Sequence, residues 1–402
     1  QLSAAITDAI EVACFSDVPI GIALSAGLDS SMIAAIASKQ RPDLVAFSIG
    51  YSEEGFDESQ VAAQFASELG IAHRTITLET QDIARRFREV CGVRDEPVSD
   101  IAGPALAALP RAAREADVPV LMTGIGGDEL FWGYEWIQDL AAWTAEYLDT
   151  TRSQGFVKRS GARRPPSTIQ GMASWASGFG GLRTQRDLVA FMRKWSDEST
   201  VPLPLYEFQY GYRQIISQVR SLIEVTDGFP EPEFRGSTSS ITKAAEYTAA
   251  SNTTYLRVNS LLQVDRLSMH YSVEARTPFA DSVLLETVMG GRLNSSDLFS
   301  ATKVTQRAVA SQFLPAHILQ RSKRGFTPPV RKWVRAIWDH NKHALGLGAV
   351  AELSGMSREV AQRIVRSPID RLGRINQMSL RLMTLELWLR SQLGHEESHQ
   401  VH

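Results

Sequence analysis

Two short stretches each place a carboxylate directly after an apolar run and a turn of small residues. "IALSAGLDSS", residues 22–31, carries Asp29, and "VPVLMTGIGGDELF", residues 118–131, carries Asp128 and Glu129. Glycine lets the backbone approach a ligand closely, and hydroxyl and carboxylate oxygens suit phosphate groups and Mg²⁺. The two stretches therefore predict a site for a nucleotide triphosphate held with magnesium, with Asp29 and Asp128 as the metal ligands.

The first stretch also predicts an anion site because it stands at the start of a helix. The letters that follow it, "SMIAAIASK", have the pattern of a buried or amphipathic helix. Unpaired N–H groups at a helix N-terminus attract phosphate and other anions. Each acid taken alone is as well explained as an ordinary helix N-cap, a role that Asp fills well. Two such turns in one chain favour the ligand site.

The surrounding elements predict how these turns are positioned. Apolar runs alternate with helical patterns from residue 18 to residue 123, beginning with "VPIGIAL", "SSMIAAIASK" and "LVAFSIGY". This alternation is typical of an α/β fold with a doubly wound, mainly parallel sheet, whose ligands bind outside the carboxyl ends of the strands. We predict three regions, namely a sheet core over 1–135, a helical, aromatic-rich region over 136–260 and a helical C-terminal part over 261–402.

The composition excludes several other classes of protein. The chain has 402 residues, 44% of them hydrophobic, and a formal net charge of −3, so a nucleic-acid partner is not expected. Cys14 and Cys91 are too few for a disulfide framework or a zinc site and are expected to be core thiols. The absence of a long apolar run and of a basic signal-peptide start predicts a cytoplasmic protein with no membrane partner.

Six motifs in one order resemble the synthetase domain of asparagine synthetases. The first, "LSAGLDSS", is similar to the SGGxDS loop of the wider class of N-type ATP pyrophosphatases. The resemblance covers nearly the whole chain outside residues 136 to about 255. The further motifs are "FSIGYSEEGFDES", "DEPVSD", "TGIGGDELFWGY", "VDRLSMHYSVEARTPFAD" and "LQRSKRGFTPPVRKW".

The resemblance implies an AMP-forming mechanism with ATP and Mg²⁺. A substrate carboxylate attacks the α-phosphorus of ATP, pyrophosphate leaves, and a nitrogen nucleophile displaces AMP from the acyl-adenylate to form an amide. Carried over to this sequence, the family's adenine contact falls on Ile49, and its ribose and α-phosphate contacts fall on Thr123 and Gly124. The family's pyrophosphate and metal loop falls on Leu24, Ser25, Gly27, Leu28, Asp29 and Ser30.

The resemblance also implies the catalytic residues. Lys323 of "SKRGF" resembles the family lysine that stabilises negative charge in the two transition states. Glu129 and Glu274 are further catalytic candidates, but each has a structural alternative. Glu129 is equally explained as charge at a helix N-terminus, and Glu274 is at least as well explained by an ion pair with Arg276.

Two departures from the family pattern leave the substrates open. Asparagine synthetases carry an acid where "TGIGG" has Ile125, and the segment after "DEPVSD" lacks an arginine that would bind the α-carboxylate of aspartate. The first residue is Gln1, whereas the family's glutaminase domain begins with a nucleophilic cysteine. We therefore expect ammonia from a separate or missing glutaminase domain, or a substrate that carries its own amine.

Several functions therefore remain open at this point. The leading prediction is an amide synthetase of the asparagine synthase type, acting on a small-molecule or peptide carboxylate. A ring-closing relative, such as a lasso-peptide cyclase or a β-lactam synthetase, is the alternative that Ile125 favours. A tRNA-modifying pyrophosphatase and a non-catalytic ATP-binding scaffold are less well supported. The oligomeric state is also open, with a homodimer among the options.

Overall fold

The computed structural model describes most of the chain outside its middle region. The described residues are 1–52, 59–134, 243–294, 297, 300–321, 329–341, 348–354, 357, 359 and 377–393. The predicted region 136–260 lies outside them up to residue 242, and so does Lys323. The three predicted boundaries stay a prediction.

A parallel sheet of five strands confirms the predicted α/β fold. The strand order is β3-β2-β1-β4-β5, and every pairing is parallel. β2 and β3 lie on one side of β1, and β4 and β5 lie on the other. The strand order therefore reverses between β1 and β4, and ligands of such sheets bind at the carboxyl ends of the strands at this point. The strands are β1 Ile20–Ala23, β2 Val45–Tyr51, β3 Ala72–Leu78, β4 Val120–Met122 and β5 Glu274–Arg276.

The central strand is buried on both faces, as its continuous apolar run predicts. Ile20 and Ile22 are fully buried, and Ile22 is level with Ala46 on β2 and Met122 on β4. On the opposite face, a Cβ added to Gly21 would lie 2.8 Å from the Phe47 ring. The close packing of Phe47 over β1 therefore requires glycine at that position.

Helices pack on the sheet, and their buried side chains form hydrophobic clusters. Phe47 packs with Ala113, Val118, Leu121 and Val273. The larger cluster joins side chains of four helices, including Phe87, Ala105, Trp333 and Met383. The α-helices of the described residues are α1 Leu2–Ala13, α2 Leu28–Gln40, α3 Ser59–Glu68, α4 Thr80–Val93, α5 Gly103–Glu115, α6 Gly127–Leu130, α7 Lys243–Ser251, α8 Leu262–Met269, α9 Ser282–Asn294, α10 Val304–Ala310, α11 Ala316–Leu319, α12 Val330–Asn341, α13 Gly348–Ser354 and α14 Gln377–Gln392.

Two further short elements complete the described part. A π-helix spans Asn252–Leu261 between α7 and α8, and a 3₁₀ helix spans Pro278–Ala280 after β5. Cys14 and Cys91 are buried free thiols, as predicted, and burial raises their pKa values to about 11 and about 12. None of the described helices has the length and apolar character that a membrane span requires.

The chain divides into two compact units. Unit 1 comprises Gln1–Gly126, Leu256–Leu284 and Arg307–His402 and contains the whole sheet, and unit 2 comprises Gly127–Tyr255 and Leu285–Gln306. The second predicted strand-end stretch is split by this division, because its glycines up to Gly126 belong to unit 1 whereas Asp128 and Glu129 belong to unit 2.

Candidate nucleotide site

Two serine hydroxyls close the turn between β1 and α2, which we call the serine turn (residues 25–30). Ser30 Oγ accepts the Ser25 N–H at 3.1 Å and lies 3.1 Å from Ser25 Oγ. Ser25 Oγ in turn accepts the Gly27 N–H at 3.3 Å, and Ser30 Oγ donates to the Gly27 carbonyl at 3.3 Å. Ser30 is buried whereas Ser25 is exposed, so the inner hydroxyl fixes the turn and the outer one lies at the surface.

The backbone of the serine turn is held in an uncommon conformation. Ala26 has φ 54°, in the left-handed region that costs a residue with a Cβ about 1–2 kcal/mol. The hydrogen bonds on both sides of Ala26 offset this cost. Strained backbone of this kind is common at functional sites. Gly27 follows as the N-cap of α2, and the Ser31 N–H makes the first bond of the helix, to the Gly27 carbonyl at 3.0 Å.

Asp29 lies in the first turn of α2, where the positive end of the helix dipole favours a carboxylate. The turn after β4 comes close to it. A Cβ added to Gly124 would lie 2.9 Å from Asp29 Cβ and 3.2 Å from the Ser30 nitrogen. Glycine at 124 therefore lets the two turns of unit 1 approach each other.

The segment from Thr123 to Gly126 is fixed by backbone contacts. The Thr123 N–H donates to the Arg276 carbonyl at 2.8 Å, and its hydroxyl accepts the Ile125 N–H at 3.4 Å. Gly126 has φ 97°, and a Cβ there would lie 2.9 Å from the carbonyl group of Phe279. Ile125 is partly buried, so this position presents an apolar side chain where the family pattern has an acid.

The remaining predicted nucleotide contacts lie on the sheet and at the start of α2. Leu24 is buried and continues the ladder, since its N–H donates to the Phe47 carbonyl at 2.8 Å. Ile49 pairs with Ile76 on β3 and packs against the larger hydrophobic cluster. Leu28 is the partly buried first residue of α2. The adenine contact of Ile49 stays a prediction.

In unit 2, a buried lysine holds the second predicted metal ligand. Lys303 Nζ lies 2.6 Å from Asp128 Oδ1, and the lysine side chain is 4% exposed. Lys303 itself has φ 55°, and its N–H donates to the Phe131 carbonyl at 3.0 Å. Gly133 packs so closely on Asp128 that a Cβ there would overlap the carboxylate. We call Asp128, Lys303 and Gly133 the lysine pair site.

Sequence reasoning missed Lys303. It lies in the segment "SATKVTQ", which carries no glycine turn and no strand end. Any signal was indirect, because a charged side chain that becomes buried, as Lys303 does, requires a compensating partner somewhere in the chain. One sequence gives no means to tell which lysine becomes buried or to choose its partner among the acids.

Glu129 is buried beside Asp128 and is bonded to a tyrosine. Tyr134 Oη donates to Glu129 Oε1 at 3.2 Å. Burial raises the pKa of Tyr134, and the charges of Glu129 and Asp128 raise it further. The phenol is therefore protonated throughout the neutral range and acts as the donor. The catalytic role of Glu129 stays a prediction.

Glu274 has the structural partner that the sequence left open. Arg276 Nε lies 2.8 Å from Glu274 Oε1, and the same guanidinium donates to the Ala13 and Phe15 carbonyls at 2.9 and 2.7 Å. The hydrogen bond from Arg276 lowers the pKa of Glu274. Glu274 is exposed and level with Val120, before the carboxyl end of β4. This geometry supports the ion-pair alternative, in which Glu274 and Arg276 hold the end of α1.

The donor groups are compatible with magnesium. Among the described residues, no three His, Cys, Asp and Glu side chains are grouped as a metal site. Mg²⁺ does not need such a group, because one or two carboxylates together with substrate phosphates and water are its usual ligands. A carboxylate has two acceptor oxygens, so Asp128 can keep Lys303 on Oδ1 and still serve as a ligand. Each carboxylate, taken by itself, therefore has the donor chemistry of its predicted role, and their joint role as metal ligands stays a prediction.

Comparisons with known proteins identify the family. The asparagine synthase family profile matches residues 1–390. A protein of Mycobacterium tuberculosis, provisionally named a glutamine-hydrolyzing asparagine synthetase, is 29% identical over 84% of this chain and 49% of its own length. Glutamine-hydrolyzing asparagine synthetase 1 of Bacillus subtilis is 28% identical over 82% of this chain and 50% of its own length. Amidase chry2 of Gibberella zeae is 24% identical over 81% of this chain and 51% of its own length. The chain spans about half the length of these relatives, and it belongs to the asparagine synthase family.

Proposed function

We propose that this chain catalyses the synthetase reaction of an ATP-dependent, AMP-forming ligase. The proposal is carried by the serine turn, a preformed anion site at the carboxyl end of β1, in a chain of the asparagine synthase family. In this reaction a carboxylate oxygen attacks the α-phosphorus and pyrophosphate leaves with the electron pair of the α–β bond. An amine then attacks the acyl carbon, AMP leaves, and the amine loses a proton.

The serine turn is proposed to bind the pyrophosphate part of ATP. Ser31 makes the first bond of α2, so the amide groups of residues 28–30 face out of the helix end, where they suit phosphate oxygens. The exposed Ser25 hydroxyl adds a further polar contact. Gly124 lets the turn after β4 approach Asp29 at the same end of the sheet, where Thr123 and Gly124 are proposed to contact the ribose and α-phosphate.

The negative charge of the phosphates is proposed to be neutralised by Mg²⁺ and by Lys323. Asp29 and Asp128 would hold Mg²⁺, which supplies positive charge to the phosphates when it is bound. Lys323 would stabilise the negative charge that develops in both steps, an effect that preorganised charges supply best in a dry site. Glu129 remains the candidate for proton transfer near the second turn.

The proposed substrates are aspartate and ammonia, and this proposal rests on the names of the bacterial relatives. Ammonia would come from a glutaminase domain. A second candidate is ring closure within a peptide or β-amino acid substrate, and Ile125 is the observation that favours it. This partly buried apolar residue offers no carboxylate to take part in aspartate chemistry.

Carboxylate-dependent exchange of labelled pyrophosphate into ATP tests the proposal. The enzyme is assayed with aspartate, β-amino acids and peptides, and Asp29→Asn is assayed in parallel. We expect exchange with one class of carboxylate in the wild-type protein and none in the variant. Exchange with aspartate, followed by asparagine formation on addition of ammonia, would select the first candidate. No exchange with any carboxylate, despite a folded protein, would overturn the proposed reaction.

A further inference from the structure

A hydrogen-bonded pair behind the serine turn lies on β2, which neighbours β1, and on β3, the strand beyond it. Ser48 on β2 is buried, and its hydroxyl donates to the Leu24 carbonyl at 2.5 Å. His73 on β3 lies with Nε2 2.9 Å from the same hydroxyl oxygen. The register explains the contact, because His73 is level with Ala46 and therefore reaches diagonally to the side chain two residues further along β2.

The direction of these bonds fixes the roles of both residues. A serine hydroxyl has one hydrogen, and here the Leu24 carbonyl takes it, so Ser48 Oγ can only accept from the imidazole. His73 must therefore carry a hydrogen on Nε2. Burial lowers the pKa of His73, so the neutral imidazole with this tautomer is the form present near pH 7.

The bond to Leu24 acts on the peptide group that begins the serine turn. The carbonyl of this peptide, from Leu24, is held by Ser48, and its N–H, from Ser25, is held by Ser30 Oγ at 3.1 Å. A peptide group held at both ends cannot rotate without breaking one of these bonds. The Leu24 N–H is fixed as well, by the Phe47 carbonyl at 2.8 Å.

We propose that Ser48 and His73 are positioning residues that hold the Leu24–Ser25 peptide, and through it the serine turn, in the conformation that binds pyrophosphate. Neither residue needs to touch the nucleotide. His73 acts through Ser48, since its N–H orients the Ser48 lone pairs so that the hydroxyl hydrogen points at the Leu24 carbonyl. The identity of the ligand, pyrophosphate, rests on the proposed function. The positioning role rests on the hydrogen bonds of unit 1 alone.

Four variants test the inference. Ser48→Ala removes both bonds, because the Ser48 hydroxyl makes both, whereas His73→Leu removes only the bond between the imidazole and Ser48. His73→Gln keeps an Nε2–H donor, and the double variant Ser48→Ala/His73→Leu removes no bond that Ser48→Ala leaves. Thr75→Val, at an exposed position on β3, is the matched control. The readouts are the affinity for inorganic pyrophosphate with Mg²⁺, the thermal unfolding midpoint, and hydrogen exchange of the peptide that covers residues 22–31.

We expect Ser48→Ala and His73→Leu to weaken pyrophosphate binding by about fivefold each, the size of one neutral hydrogen bond. The double variant should be no weaker than Ser48→Ala, because two residues that act through one contact are not additive. His73→Gln should recover most of the affinity. Hydrogen exchange in residues 22–31 should be faster in the variants that lose affinity and unchanged in Thr75→Val.

Two results would overturn the inference. The first is unchanged exchange in residues 22–31 in Ser48→Ala and His73→Leu, and the second is fully additive losses in the double variant. A wild-type protein that binds neither pyrophosphate nor ATP would instead refute the proposed function. In that case faster exchange in both single variants, with recovery in His73→Gln, would still support the positioning role.

Discussion

The serine turn and the second turn, residues 123–128 with Asp128 at its end, have similar sequences but are held by different interactions. Each follows a buried strand, contains glycine and carries an acid. Within the serine turn, neutral bonds join residues at most five positions apart, such as Ser25 and Ser30. The lysine pair site is held by a buried charge, since Asp128 is paired with Lys303 from a distant part of the chain.

This difference changes what a mutation costs. A neutral hydrogen bond contributes about 1 kcal/mol, and its loss in a local turn is absorbed locally. Removing one partner of a buried ion pair costs up to about 3–5 kcal/mol, because the charge that stays buried loses a compensating partner. Asp128, the acid of the second turn, therefore supports unit 2 as well as the proposed reaction.

The largest expected effect is at Asp128. Asp29→Asn and Asp128→Asn should both abolish magnesium-dependent ATP use, and Asp128→Asn should also lower the free energy of unfolding, by up to about 3–5 kcal/mol. Chemical denaturation of Asp128→Asn measures this loss. Asp128→Asn/Lys303→Met, which removes both charges of the pair, should be more stable than Asp128→Asn. Unchanged stability of Asp128→Asn would contradict the contribution of the buried pair.

Lys323→Ala should reduce turnover by about 10²–10³-fold, the size reported for groups that stabilise transition-state charge, with little change in ATP affinity. The reason is that its proposed partner is charge that develops only during the reaction. Measuring nucleotide binding and single-turnover rates separately gives the answer. Lys332→Ala, an exposed lysine on α12, is a suitable control. A loss confined to affinity would mean that Lys323 only anchors phosphate.

Ile125→Glu distinguishes the two candidate substrate classes, aspartate and a larger substrate that carries its own amine. If the chain makes asparagine, activity with aspartate should be unchanged or higher. If Ile125 forms an apolar wall for a larger substrate, glutamate should cost up to several kcal/mol of substrate binding, unless it is protonated or meets a cation. Ile125→Gln separates the effect of charge from that of size. Measurements of kcat/KM with aspartate and with the best peptide decide between these outcomes.

The smallest effect is expected outside both turns, at Glu274. Its pKa is lowered from 4.5 by the Arg276 hydrogen bond, so the pair stabilises the protein above that pH and loses this contribution as the pH falls through the folded value. The pair is exposed, so Glu274→Gln should change the unfolding free energy at pH 7 by less than about 1 kcal/mol. Denaturation at pH 7 and pH 3 measures it. A large loss of turnover with unchanged stability would instead support a catalytic role.

Local patterns in the sequence predicted the parts of the molecule that are held locally. The strand and helix rhythm predicted the parallel sheet and the start of α2.

Contacts made by distant residues could not be predicted from one sequence. Lys303 and His73 lie in segments without a turn or glycine signal, and their partners are set by the register of strands and by tertiary packing. The left-handed conformation of Ala26 was also missed, because its cost is offset by hydrogen bonds that exist only once the turn has formed.

Isotope transfer from the substrate carboxylate tests the central claim most directly. The wild-type protein is given ATP, Mg²⁺, the amine and a carboxylate labelled with ¹⁸O, and the nucleotide and phosphate products are analysed by mass spectrometry. An acyl-adenylate passes one carboxylate oxygen to the α-phosphorus, so the account predicts labelled AMP together with unlabelled pyrophosphate. Labelled inorganic phosphate formed together with ADP would mean attack at the γ-phosphorus, and it would contradict the assignment of the serine turn as a pyrophosphate site.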